Sequence, residues 1–86
     1  MASKNILFVD NNVTVVDTSI KILEIWSYLA EPAYNGEEAI NKTRIGKYDL
    51  MILTIDLPDM SGFDVVKRIR SFNKKSELFL SQTNLK

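Results

Sequence analysis

The sequence predicts a small α/β protein built on a parallel β-sheet, and three observations carry that prediction. Two short continuous apolar runs, Ile6 to Val9 and Leu50 to Leu53, are apolar at every position, as strands buried on both faces must be. The stretches between the apolar runs carry helical spacing of their apolar residues. Cap and turn residues separate the two patterns. Strands that alternate with helices imply right-handed crossovers and helices on both faces of a parallel sheet. With 86 residues there is room for one domain, residues 1–86, which buries about 60–65% of the surface its unfolded chain exposes.

The elements follow in order. Asn5 to Val9 is the first strand, ended by Asp10-Asn11-Asn12, where either asparagine can cap the next helix. Val13, Val16, Ile20, Leu23 and Trp26 step by three and four residues and mark one face of helix one. A short second strand is predicted around Tyr28 to Ala30. Pro32 lies near its end and, lacking a ladder donor, assigns it to the sheet edge. Asn35-Gly36 is a turn signal. Glu37 and Glu38 follow in a first helical turn, where the helix dipole favours negative charge. Ala39, Ile40 and Thr43 form the inner face of helix two, and Gly46 closes it. Leu50 to Leu53 is the third strand, finished by Thr54. Ser61-Gly62 leads into helix three, with Phe63, Val66 and Ile69 as its expected apolar face and Phe72 or Arg70 behind them. Leu78-Phe79-Leu80 reads as a fourth strand. Trp26 and Phe72 read most simply as core residues.

Composition removes several classes of function. Eleven Lys and Arg balance eleven Asp and Glu, so no net field draws in nucleic acid or an acidic membrane. There is no cysteine and no histidine, which excludes disulfides, thiolate chemistry and the commonest general base and zinc ligand. No apolar run approaches the roughly 20 residues that span a bilayer, and the hydrophobic stretch after Met1-Ala2-Ser3-Lys4 is too short for a signal peptide. The cytoplasm is the default location. Lys67, Arg68, Arg70, Lys74 and Lys75 cluster, but Asp64 and Glu77 dilute them and no aromatic interleaving supports base stacking, so they read as a solvated helix face.

In parallel sheets of this kind, ligands sit outside the carboxyl ends of the strands. The candidates there are Asp10, Asn11 and Asn12 after the first strand, and Thr54, Ile55 and Asp56 after the third.

At these residues the chain resembles the receiver domain of two-component response regulators. Four stretches carry the likeness: I-L-F-V-D-N-N at 6–12, A-Y-N-G-E-E-A-I at 33–40, D-L-M-I-L-T-I-D-L-P-D-M-S-G-F-D-V-V-K-R-I-R at 49–70, and the weaker L-F-L-S-Q at 78–82. The resemblance implies a flavodoxin-like receiver fold, whose full strand order is 2-1-3-4-5. The portion expected here is β1-α1-β2-α2-β3-α3-β4, a truncated receiver-like domain without the last helix-strand-helix portion and its lysine.

The family holds Mg²⁺ with two acids after the first strand, and an aspartate at the end of the third strand accepts a phosphoryl group. The metal neutralises the phosphoryl oxygens during transfer. By this resemblance Asp10 matches one acid, and Asn11 stands where the second is usual. Counting back four residues from Pro58 places Thr54 at the acceptor position. Asp56 lies two residues further on, at the position the family uses for a backbone carbonyl on the metal, and is the possible substitute acceptor. Residues 54 and 56 share strand parity, so both are expected to point to the same side. Ser81 matches the switch hydroxyl. A residual, weak Mg²⁺ site would draw on Asp10, Asn11 and Asp56, and no cofactor is expected to be required.

These departures point to a non-enzymatic pseudo-receiver, a phosphorylation-independent interaction module. The alternative is a Mg²⁺-dependent switch that uses Asp56. Expected partners are a second copy in a homodimer, plain or domain-swapped, a histidine kinase, a response regulator or a tethered output protein. Neither nucleic acid nor a membrane is expected among them.

Overall fold

The computed structural model describes residues 4–72 and the backbone of residues 77–81. Seven elements alternate: β1 Asn5–Val9, α1 Val13–Ile25, β2 Leu29–Ala33, α2 Gly36–Ile45, β3 Leu50–Thr54, α3 Gly62–Arg70 and β4 Glu77–Ser81. The four strands form one parallel sheet in the order β2-β1-β3-β4. The register aligns Leu7 with Met51 and Val9 with Leu53 across the two central strands.

That register builds the core, because residues of one parity on paired strands share a face. Leu7, Val9, Met51 and Leu53 pack with Ala33, Ala39, Ile40, Val65 and Ile69, all essentially free of solvent. Helices α2 and α3 therefore cover this face. On the other face α1 lies over β2 and β1 and buries Val16. Asp49 ties the amino ends of β1 and β3 together: its Oδ2 accepts from the Asn5 N–H at 2.8 Å, and its own N–H donates to the Asn5 carbonyl at 2.8 Å.

The helix starts follow from their capping residues. Asn12, Asn35 and Ser61 each hold extended backbone and accept a bond from the N–H three residues on. That satisfies one of the donors each helix start leaves open.

Four sequence expectations need correction. Trp26 is not a core residue: α1 ends at Ile25, Trp26 leaves the helical spiral as its C-cap, and its side chain is 73% exposed. Phe72 is likewise exposed, because it follows the C-cap Ser71, and it lies under the Arg44 guanidinium, 4.9 Å from ring centre to Cζ. The inner face of α3 is Gly62, Val65 and Ile69, with Val66 partly buried, so Phe63 points to solvent. Strand β2 runs from Leu29 to Ala33 with Pro32 inside it, paired with Phe8. An edge strand leaves one row of backbone donors out of the ladder, which is how proline fits there.

Candidate functional site

The carboxyl edge of the sheet gathers three of the predicted site residues. Val9 pairs with Leu53, so Asp10 and Thr54 each follow a paired residue and leave adjacent strands side by side. Ser81 is in register with Thr54 on the next strand. Asp10, Thr54 and Ser81 thus stand in a row across β1, β3 and β4.

Asp10 is buried, and its Oδ1 accepts the Asn12 N–H at 3.1 Å. Its own N–H donates to the Ala33 carbonyl at 3.0 Å. This local turn fixes the carboxylate and presents Asn12 to cap α1. Asn11, one residue on, is exposed. Thr54 closes β3 and is also buried, at 3% exposure.

Asp56 sits elsewhere. Strand β3 ends at Thr54, so the shared parity expected of 54 and 56 does not extend to Asp56. The chain turns there, with Asp56 in a single antiparallel bridge to Ser61, and the Gly62 N–H donates to the Ile55 carbonyl at 2.7 Å. Thr54 is buried while Asp56 is exposed. Gly62 permits the turn: a Cβ on it would stand 2.5 Å from the Thr54 carbonyl oxygen.

The donor set fits a divalent cation poorly. Among the described residues no three His, Cys, Asp or Glu side chains cluster to hold a metal ion. Asn11 brings a neutral amide where a hard cation favours a carboxylate.

Sequence reading overlooked Asp59. Its carboxylate spans from the β3–α3 loop to the start of α2, accepting the Gly36 N–H at 2.8 Å and the Glu37 N–H at 2.9 Å. Burial pushes its pKa up, but bonds from the Gly36, Glu37, Asp59 and Met60 N–H groups outweigh that and hold it below the usual carboxylate range. The available signal was an acid just after Pro58 in a loop that must pass a helix N-terminus, where open N–H groups attract carboxylates. Two tyrosines brace the neighbouring elements. Tyr34 Oη donates to Asp17 on α1 at 3.3 Å. Burial, then the Glu31 charge and hydrogen bond, push the Tyr48 pKa up to about 12.

Residues 6–84 match the response regulator receiver domain family. The chain belongs to that family. This receiver is 35% identical over 82 residues to the response regulator GtcR of Aneurinibacillus migulanus, covering 95% of this chain and 34% of GtcR. It is 33% identical over 73 residues to the hybrid signal transduction histidine kinase B of Dictyostelium discoideum, covering 85% of this chain and 4% of the kinase. The receiver therefore spans about a third or less of those relatives' own lengths. Among solved structures it resembles the Thermotoga maritima response regulator TrrA in complex with Mg²⁺-BeF, at 38% identity and TM-score 0.85, covering 90% of this chain and 67% of that one. TrrA in complex with the histidine kinase ThkA gives 35% identity and TM-score 0.88, covering 96% of this chain and 72% of the matched one. Among the described residues of this receiver, no helix is long and apolar enough to cross a membrane.

Proposed function

We propose that this receiver acts as a phosphorylation-independent interaction module of two-component signalling, a pseudo-receiver. The observation that supports the reading is Thr54, buried at the end of β3, which by its count back from Pro58 matches the family's acceptor position. A carboxylate is already ionised at neutral pH and attacks phosphorus directly, whereas an alcohol must first lose its proton. The neutral Asn11 and the engaged Asp10 weaken the second requirement, a tightly held Mg²⁺, so no cofactor is needed for this role. Ser81 keeps the register of a switch hydroxyl next to a residue that does not switch. The module is non-enzymatic and cytoplasmic. Its partner classes are a histidine kinase, in line with the TrrA–ThkA complex, and a second copy of the chain.

The competing reading makes Asp56 a Mg²⁺-dependent acceptor, and the exposure of Asp56 on its loop keeps that carboxylate within reach of a phosphodonor. Incubation with acetyl phosphate and Mg²⁺, followed by intact mass, separates the two. The expected result is no gain of a phosphoryl group. A gain that disappears in Asp56→Asn overturns the proposal in favour of the switch.

A further inference from the structure

We propose that Asn35 is a modification site: it deamidates through the nitrogen of Gly36, and the Asp59 carboxylate holds that reaction off while the β3–α3 loop rests on α2. The chain has seven asparagines, and only Asn35 is followed by glycine. Glycine has no side chain to crowd the approach of its own nitrogen to the preceding residue. The reaction needs only water and hydroxide. Hydroxide takes the proton from the Gly36 N–H, and the nitrogen attacks Asn35 Cγ. The Cγ–Nδ2 bond breaks, and the amide nitrogen leaves as ammonia with a proton from water. The five-membered imide then takes up water at either carbonyl carbon. Breaking the bond from the ring nitrogen to Cγ gives aspartate, and breaking its bond to the Asn35 main-chain carbonyl carbon gives isoaspartate. In both cases the nitrogen regains its proton.

Three observations place a lock on this step. The first concerns the nucleophile. The Gly36 N–H donates to Asp59 Oδ1 at 2.8 Å, and the neighbouring Glu37 N–H donates to Oδ2 at 2.9 Å. A peptide N–H is a far weaker acid than a carboxyl group, so Asp59 does not take the proton. Its negative charge opposes an anion forming on that nitrogen. The second concerns the electrophile. Asn35 Oδ1 accepts the Glu38 N–H at 2.8 Å, which turns the side-chain amide towards the first turn of α2. The third is the backbone between them. Asn35 has φ −156° and ψ 173°. At that ψ the Gly36 nitrogen is staggered relative to Cβ about the Cα–C bond, whereas a flat five-membered ring needs the two eclipsed. Ring closure therefore requires Gly36 to leave Asp59 and the cap to open. Met60 stands over the same glycine, where a Cβ would lie 2.5 Å from Met60 Cγ. Residues 59 and 60 thus cover Gly36 together, and lifting their loop frees the reacting nitrogen. Either product keeps the loop from settling back. Aspartate sets a second carboxylate beside Asp59 at one helix start. Isoaspartate lengthens the main chain between the cap and the two N–H groups. The site is therefore a one-way record of loop opening.

The test follows the chain in mildly alkaline buffer by intact mass, for the rise that comes when an acid replaces an amide. Peptide mapping places the change and separates aspartate from isoaspartate. In urea sufficient to unfold it, the parent chain should deamidate at Asn35 ahead of every other asparagine. Folded, it should react there more slowly by about 10-fold or more, the factor that one charge-assisted hydrogen bond supplies. Asp59→Asn removes one accepting oxygen and should speed the folded reaction by about 5-fold. Asp59→Ala should speed it further, with the circular dichroism of both variants unchanged. Val16→Ala lowers global stability from the other face of the sheet and leaves Asp59 in place. Local opening costs less than global unfolding, so its rate should stay near the parent's. A folded parent as fast as the unfolded chain, both Asp59 variants at the parent's rate, or Val16→Ala as fast as Asp59→Ala each overturns the proposal.

Discussion

Asp59 spans two loops with one carboxylate, and the consequence can be measured at that single side chain. It caps Gly36 and Glu37 from a distance in sequence, so it holds the β3–α3 loop, and Asp56 with it, against the start of α2. Replacing it with Asn keeps the shape but removes the charge that both N–H groups see. Asn offers one accepting oxygen in place of two, so one of the two N–H groups loses its partner, at an expected loss of about 1 kcal/mol, the net worth of one hydrogen bond. The folded pKa is depressed, so the carboxylate's stabilisation is fully present above its unfolded pKa of about 3.9 and fades as pH falls through the folded value. Urea unfolding of the parent chain and Asp59→Asn should therefore differ near neutral pH and converge under strongly acid conditions. A difference that persists unchanged in acid would show that the two bonds do not depend on the charge. Thr54 makes the contrast at this scale. Its identity and its place before Pro58 were legible from sequence alone, since both are questions of spacing. Asp59 was not, because its bonds join residues 23 and 22 positions apart that only the fold brings together.

At the scale of elements, apolar runs and helical spacing predicted the order of helices and strands but misplaced the bounds of β2 and set the phase of α3 wrongly. Phe63 looks apolar enough to lead the inner face, yet Gly62 takes the position against β3, where its missing Cβ lets the helix start close to the Thr54 carbonyl. Once Gly62 faces inward, helical geometry turns Val65 and Ile69 inward with it and Phe63 outward. Two substitutions test this phase. Gly62→Ala places a carbon where backbone oxygen stands, and the helix start must shift, at an expected cost of about 2 kcal/mol. Phe63→Ala removes a mostly exposed ring and should change stability by less than about 0.5 kcal/mol. Unfolding midpoints of the two variants, compared with the parent, give the order directly. The reverse order would return Phe63 to the core. The end of α1 shows the same limit of sequence reading. The three-and-four spacing runs on to Trp26, but the helix stops one residue earlier, and Ser27 takes a left-handed φ of 70° to turn the chain. Serine has no strong preference for that conformation, so nothing in the residue type announced it.

The whole molecule is a sheet with unequal faces. The Leu7–Val9–Met51–Leu53 face lies under two helices and contributes the large buried core, while the other face has α1 over β2 and β1, and Ile52 of β3 remains only partly buried. The sequence announced two fully apolar central strands and, through them, a sheet buried on both faces. It carried no signal for the inequality, because Ile52 and Leu53 are equally apolar and differ only in what packs on them. Stability should therefore be concentrated on one side. A domain of this size holds about 4–13 kcal/mol in total. Leu7→Ala empties a site with no solvent contact, at an expected cost of about 3 kcal/mol, a large fraction of that total. Ile52→Ala removes a side chain of the same volume from a half-open face, and water or neighbouring side chains can take up the space, so about 1 kcal/mol is expected. Both follow from urea midpoints at fixed slope. Equal losses would mean that the α1 face is as tightly closed as the α2–α3 face. The unequal outcome would leave one rigid face behind the carboxyl-edge row of Asp10, Thr54 and Ser81, and one open face able to take up contacts without disturbing it.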